Sequence, residues 1–182
     1  MKIAVFLLCF LFYESLWAGD FSTEVKNVSM ELVADHYQLN ADIIYRISPI
    51  AREALQKGVS LTWAVVIKTE EQGVLWNSTI KKLSLSYQIQ NHALLNIYSV
   101  KHLNSGEKEV FSSLAGALNS MSKIRGLDIL DKQRIKPENS YHVAIKAVFK
   151  HEALPVPLRP FSYFDSQWAL SSSHWTLWPL QN

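Results

Sequence analysis

Alternation with a period of two runs through most of this chain and constrains its fold more than any other feature. Val28, Met30 and Leu32 interleave with Asn27, Ser29 and Glu31, and Tyr37, Leu39, Ala41, Ile43, Tyr45 and Ile47 interleave with Gln38, Asn40, Asp42 and Arg46. Successive strand side chains point to opposite faces, so this pattern predicts half-buried strands with one core face and one wet face. Only Asp35-His36 separates the two runs, too few residues for a parallel crossover, so an antiparallel hairpin is expected. The alternation returns at Val59, Leu61, Trp63, Val65 and Ile67, at Leu83 to Ile89, at Leu94 to Val100 through a turn at Asn91-His92, and at Tyr141 to Phe149. Glu109 to Phe111 reads as a strand stub after the turn Asn104-Ser105-Gly106, and residues 122 to 140 are ambiguous, with a short strand at Leu127 to Leu130.

Two segments change period. Ser48-Pro49 opens a helix with a capping hydroxyl and a proline at the first helical position, Gly58 closes it, and Ile50, Ala54 and Leu55 share a face. Leu114, Ala117, Leu118 and Met121 stand at helical spacing behind Ser112 or Ser113, with Gly116 weakening the helix. The expectation is a mainly β fold: an antiparallel sandwich or curved sheet of about seven or eight strands with two short helices, without the βαβ rhythm of a parallel sheet.

The amino terminus predicts the compartment. Lys2, the apolar run Ile3 to Tyr13 and the tail Glu14-Ser15-Leu16-Trp17-Ala18 have the three parts of a secretory signal peptide, with cleavage after Ala18 and a periplasmic destination. The run is about eleven residues, roughly half of what a membrane-spanning helix needs. Cys9 follows Leu8, a residue that argues against lipidation, and it leaves with the peptide, so no thiol or disulfide is expected in the mature chain. Residues 19–182 are then expected to form a single β-rich domain with a Pro/Trp-rich segment at 154–182. Removing Lys2 and Glu14 from 18 basic and 16 acidic residues leaves 17 and 15, scattered without a run, which argues against nucleic-acid binding.

Sites of known chemistry are weak in this sequence. Ser120 and Lys123 have the S-x-x-K spacing in which a lysine one helical turn on can unload a serine, but no S-D-N or K-T-G partner accompanies them, and no serine stands in G-x-S-x-G. His36, His92, His102, His142, His151 and His174 show no metal-binding spacing; His142 alternates onto the polar face of its strand, and His36 and His92 fall in turns. No catalytic residue, metal or cofactor is therefore assigned. The sequons Asn27-Val28-Ser29 and Asn77-Ser78-Thr79 read as strand and turn residues.

The carboxy-terminal segment is different in kind. Leu154-Pro155-Val156-Pro157-Leu158-Arg159-Pro160 is expected to be extended, because each proline fixes its φ and biases its predecessor away from the α region. Trp168 and Leu170 share a strand face, as do Trp175 and Leu177, so a final strand closing the sheet is expected. A binding surface made by Trp168, Trp175, Trp178, Pro155 and Pro157 is the alternative, since tryptophan joins a large apolar area to a polar ring edge.

Several patches in this order resemble the DUF4390 family of exported proteobacterial proteins: Ala54-Leu55-Gln56-Lys57-Gly58-Val59-Ser60-Leu61, Leu83 to Tyr87, Leu154-Pro155-Val156-Pro157-Leu158, and Trp168-Ala169-Leu170-Ser171-Ser172 with Trp175 and Trp178-Pro179. Many members are rich in arginine and tryptophan after the strand matching Val59 to Ile67, whereas Gln72-Gly73-Val74-Leu75-Trp76 here keeps one tryptophan and no arginine. The resemblance implies export and an envelope or sensing role, and brings no catalytic residues. The resulting expectation is a noncatalytic periplasmic domain binding an envelope protein or an apolar ligand. A structural or assembly factor of the envelope is the alternative, and a serine hydrolase the third reading.

Overall fold

The computed structural model describes residues 21–180. The expected signal segment and cleavage site lie outside the described residues. Among the described residues nine strands form two antiparallel sheets, of three and six strands, with three short helices. The smaller sheet has the order β1 (Glu24–Val33), β2 (His36–Ile44), β7 (Lys123–Asp131). The larger runs β6 (Lys108–Phe111), β5 (Ile97–His102), β4 (Ser78–His92), β3 (Leu61–Glu71), β8 (Tyr141–Phe149), β9 (Thr176–Pro179).

The period-two reading locates the core. Leu39, Ala41 and Ile43 of β2 and Leu61, Trp63, Val65 and Ile67 of β3 are buried in one cluster with Val143, Ile145 and Ala147 of β8. The predicted first hairpin is present, closed by Ala34 and Asp35 with positive φ at both, the geometry whose twist matches that of paired strands. Helix α1 (Pro49–Gln56) begins as expected, with the Ser48 hydroxyl accepting from the Ala51 N–H at 3.1 Å, and Gly58 follows its end at φ 87°. Helix α2 (Leu114–Met121) is capped by Ser113, whose hydroxyl accepts from the Gly116 N–H.

Four expectations need correction. The turn between β4 and β5 is Ala93 to Asn96 rather than Asn91-His92: the strands pair as far as His92↔Ile97, and Asn96 takes a left-handed φ of 51°. His142 is buried, because its outer face lies mid-sheet between β3 and β9, and Glu70 on the paired position meets its Nε2 at 3.1 Å. The proline segment is not one extended connection. Leu154 is extended, but the Leu158 N–H closes a turn onto the Pro155 carbonyl at 2.9 Å, and Pro160 sits in the first turn of α3 (Arg159–Phe164). A proline's fixed φ suits a turn or a helix start as well as an extended chain, and Arg159 overrides the preference of a residue preceding proline. Finally, Trp168 and Leu170 are buried but not on a strand: Ser166–Trp168 is a single 3-10 turn, and the strand that closes the sheet is β9, four residues long.

Candidate functional site

An aromatic spine connects the core to the end of the molecule where α1 and α3 both pack on the turn Ser166–Trp168. Trp63 stands edge-on to Tyr45 at 5.4 Å and to Phe149 at 5.0 Å between ring centroids, and its ring N–H donates to the Leu170 carbonyl at 3.2 Å. Phe149 stacks on Trp168 at 5.9 Å. Burial pushes the Tyr45 phenol well above its ordinary pKa, so the hydroxyl stays neutral and directs its proton toward the Met121 carbonyl. These contacts hold Trp168, only 2 % exposed, beneath the surface between the two helices.

Above Trp168 lies a groove of about 440 Å³. Ile50, Ala54 and Val59 form one wall and Leu158 and Phe161 the other, because the helical spacing that buries Ala51 and Leu55 turns Ile50 and Ala54 to the groove. The rim is charged: Glu53 and Lys57 pair at 2.6 Å one turn apart, and the lysine holds the Glu53 carboxyl below its usual pKa. Asp165 lines the opposite side, its carboxylate accepting from the Gln167 N–H at 2.9 Å to start the turn that carries Trp168. Phe161 is 70 % exposed on its wall, and three residues further along α3 Phe164 is 91 % exposed.

A Ser–His pair sits under α3. The Ser162 hydroxyl donates to the Arg159 carbonyl at 2.8 Å and lies 3.0 Å from His151 Nδ1. The imidazole stacks on Tyr163 at 4.8 Å and stands edge-on to Phe149, and burial lowers its pKa, favouring the neutral ring. The hydroxyl has one proton for two neighbours, so when it donates to the Arg159 carbonyl the ring nitrogen is the donor, and when it turns to His151 the ring nitrogen accepts. Ser162 is also buried. The pair braces α3 against β8 and its following turn.

The sequence-derived candidates separate into two groups. Pro155 and Pro157 are exposed in the turn that leads into the groove wall, and Trp168 is its floor. Trp175 is half-buried, with the Lys68 ammonium 4.5 Å from its ring centroid, and Trp178 is 41 % exposed on β9, paired with Val143. These two belong to the sheet edge, not the groove. Ser120 donates to the Ala117 carbonyl within α2, while Lys123 is exposed as the first residue of β7, so the two stand in different elements. Among the described residues no three His, Cys, Asp or Glu side chains are grouped closely enough to hold a metal ion, and no helix is long and apolar enough to cross a membrane. Phe161 and Phe164 follow the segment expected to be extended and are not among the candidate binding residues, because no helix is expected after Pro160; their spacing of three behind a proline is the sign of one.

A family model for a domain of unknown function, DUF4390, matches residues 21–179, and the chain belongs to that family. No curated protein matches the chain, and no solved structure does.

Proposed function

We propose that this chain is an exported, noncatalytic binding domain of the cell envelope whose groove between α1 and α3 receives an apolar segment of a partner protein. The observation that carries the reading is the apolar groove floored by Trp168 and continued outward by exposed Phe161 and Phe164. An aromatic centre surrounded by a charged rim of Glu53, Lys57 and Asp165 is the anatomy of a protein interface, where buried aromatic anchors supply affinity and the rim excludes water. Exposed Phe164 extends the apolar area beyond the groove itself, which favours a polypeptide over a small molecule as occupant. The signal-peptide pattern before Gly19 supports placement in the periplasm.

Ala54→Trp tests the groove, because the half-buried Ala54 lines its wall and an indole there fills the space. The wild-type protein should bind an apolar fluorescent dye such as anilinonaphthalene sulfonate in its folded state, and the variant should lose that binding while keeping its unfolding midpoint. Equal dye binding by both proteins would place the apolar site elsewhere.

A further inference from the structure

The lysines of this chain are scattered in sequence, but strand pairing gathers five of them on one face of the six-stranded sheet. Val65 and Ile67 of β3 point into the core, so Thr62, Ala64, Val66, Lys68 and Glu70 point away from it. Paired residues share a face. Lys82 on β4 stands opposite Lys68, and Lys146 on β8 opposite Val66. Lys101 on β5 stands opposite Gln88, itself paired with Thr62, and Lys108 on β6 stands opposite Lys101. From β8 to β6 the five span about 20 Å, at roughly 4.8 Å per strand.

Among the described residues Glu70 is the only carboxylate that the six strands direct to this face, and it lies 3.8 Å from Lys68 and 3.1 Å from His142. Glu71 pairs with Tyr141 and Glu109 with Val100, both partners in the core, so these two carboxylates leave on the opposite side. Glu107 lies in the turn before β6, and beyond β8 Lys150 and Glu152 cancel at 3.3 Å. The face therefore carries five positive side chains and one negative. The described chain has 17 basic and 14 acidic side chains, so removing the face's five and one leaves 12 and 13, and the excess is confined here. Lys82, Lys101, Lys108 and Lys146 make no ion pair among the described residues. Lys68↔Lys82 and Lys101↔Lys108 also set like charges directly opposite, which costs stability unless an anion lies against them.

The kind of anion follows from what else is on the face. Ser84, Ser86 and Gln88 lie between the two lysine pairs, and no Phe, Tyr or Trp of the six strands points outward there. Trp175, beside β9, is already met by Lys68. Protein interfaces are depleted in lysine and anchored by aromatic side chains, so a protein partner fits poorly. Long, unpaired lysines suit lipid headgroups, which move to meet them and need no fixed pattern.

We propose that the outer face of the six-stranded sheet rests on an anionic phospholipid surface, with Lys82, Lys101, Lys108 and Lys146 facing the headgroup phosphates. No residue of the groove belongs to this face, so the contact is independent of the groove's occupant.

The test is co-sedimentation of the protein, purified as exported, with vesicles of phosphatidylethanolamine and phosphatidylglycerol, against vesicles of phosphatidylcholine. The wild type should bind only the anionic vesicles and be released by about 0.5 M sodium chloride, which shortens the reach of its charges. Each lysine lost should weaken binding about fivefold, the equivalent of ~1 kcal/mol. A Lys82→Gln, Lys101→Gln, Lys108→Gln, Lys146→Gln variant should thus bind at least about a hundredfold more weakly, with an unfolding midpoint no lower than the wild type's because two like-charge pairs are gone. A variant losing the same charge elsewhere, Lys123→Gln, Lys132→Gln, Arg134→Gln, Lys136→Gln, should bind like the wild type. A photocrosslinker at the exposed Ser84 should label lipid in the living host. A wild type that ignores anionic vesicles, equal losses in the two charge variants, or a discrete protein adduct from Ser84 overturns the proposal.

Discussion

Trp168→Ala and Trp178→Ala should have very different effects on stability, although both residues lie in the same tryptophan-rich segment. Trp168 is 2 % exposed, stacks on Phe149 and is set under α1 and α3, whereas Trp178 is 41 % exposed on the last, four-residue strand. Truncating a fully buried tryptophan costs about 3–5 kcal/mol, through lost transfer energy and a cavity that the surroundings only partly fill. Loss of the stacked pair with Phe149 lies within that figure, at about 0.5–1.5 kcal/mol. Against a total of ~5–15 kcal/mol this is a large fraction, and for a domain of this size it lowers the thermal midpoint by roughly 6–20 °C. Removing Trp178 exposes no comparable cavity and should cost less than about half as much. Urea unfolding of both variants beside the wild type, followed by far-UV circular dichroism, gives the comparison. Equal small shifts would show that the segment carrying Trp168 is detachable from the fold and that the aromatic spine does not hold the groove.

Three further outcomes follow from single residues. The protein recovered from the periplasm should begin at Gly19 by amino-terminal sequencing, and a start at Met1 in soluble protein would contradict export. His151 has its pKa lowered from 6.5 by burial, so the unfolded chain binds the proton more readily; stability should be fully present above about pH 6.5 and fall as the pH drops through the folded value, and the urea midpoint of His151→Asn should lack this component between pH 7.5 and pH 5.5. Ser48→Ala removes the cap of α1 and should cost about 1 kcal/mol in urea unfolding, whereas Ser120→Ala, which loses one local bond to Ala117, should cost no more than about that.

How much of this architecture is legible in the sequence depends on whether the alternation is regular. Strands β3 and β8 pair without a shift from Trp63↔Phe149 to Glu71↔Tyr141, and β2 keeps an alternating burial along its length, so their inward residues can be picked by counting in twos. Strand β7 defeats the same count. Its pairing with β2 shifts between Tyr37 and Gln38 and again between Leu39 and Ala41, and Gly126 adopts a φ of 58°, so Ile124, Ile129 and Leu130 are buried without a period of two. Helix α1 is readable because its cap, proline and terminal glycine act locally. The groove is not, since its walls come from α1 and from α3 about a hundred residues later, and proline's fixed φ fits the turn and helix start found between Pro155 and Pro160 as well as it fits an extended chain.

The most direct test of the groove as a partner site is site-specific photocrosslinking in the living host from Phe161, on the groove wall, with Glu31 on the exposed face of β1 as control. The account predicts one discrete adduct from Phe161, mapping by mass spectrometry to an apolar stretch of a single envelope protein, absent from Glu31 and abolished by Ala54→Trp. An adduct that persists when the groove is filled, or equal labelling from Phe161 and Glu31, would contradict it.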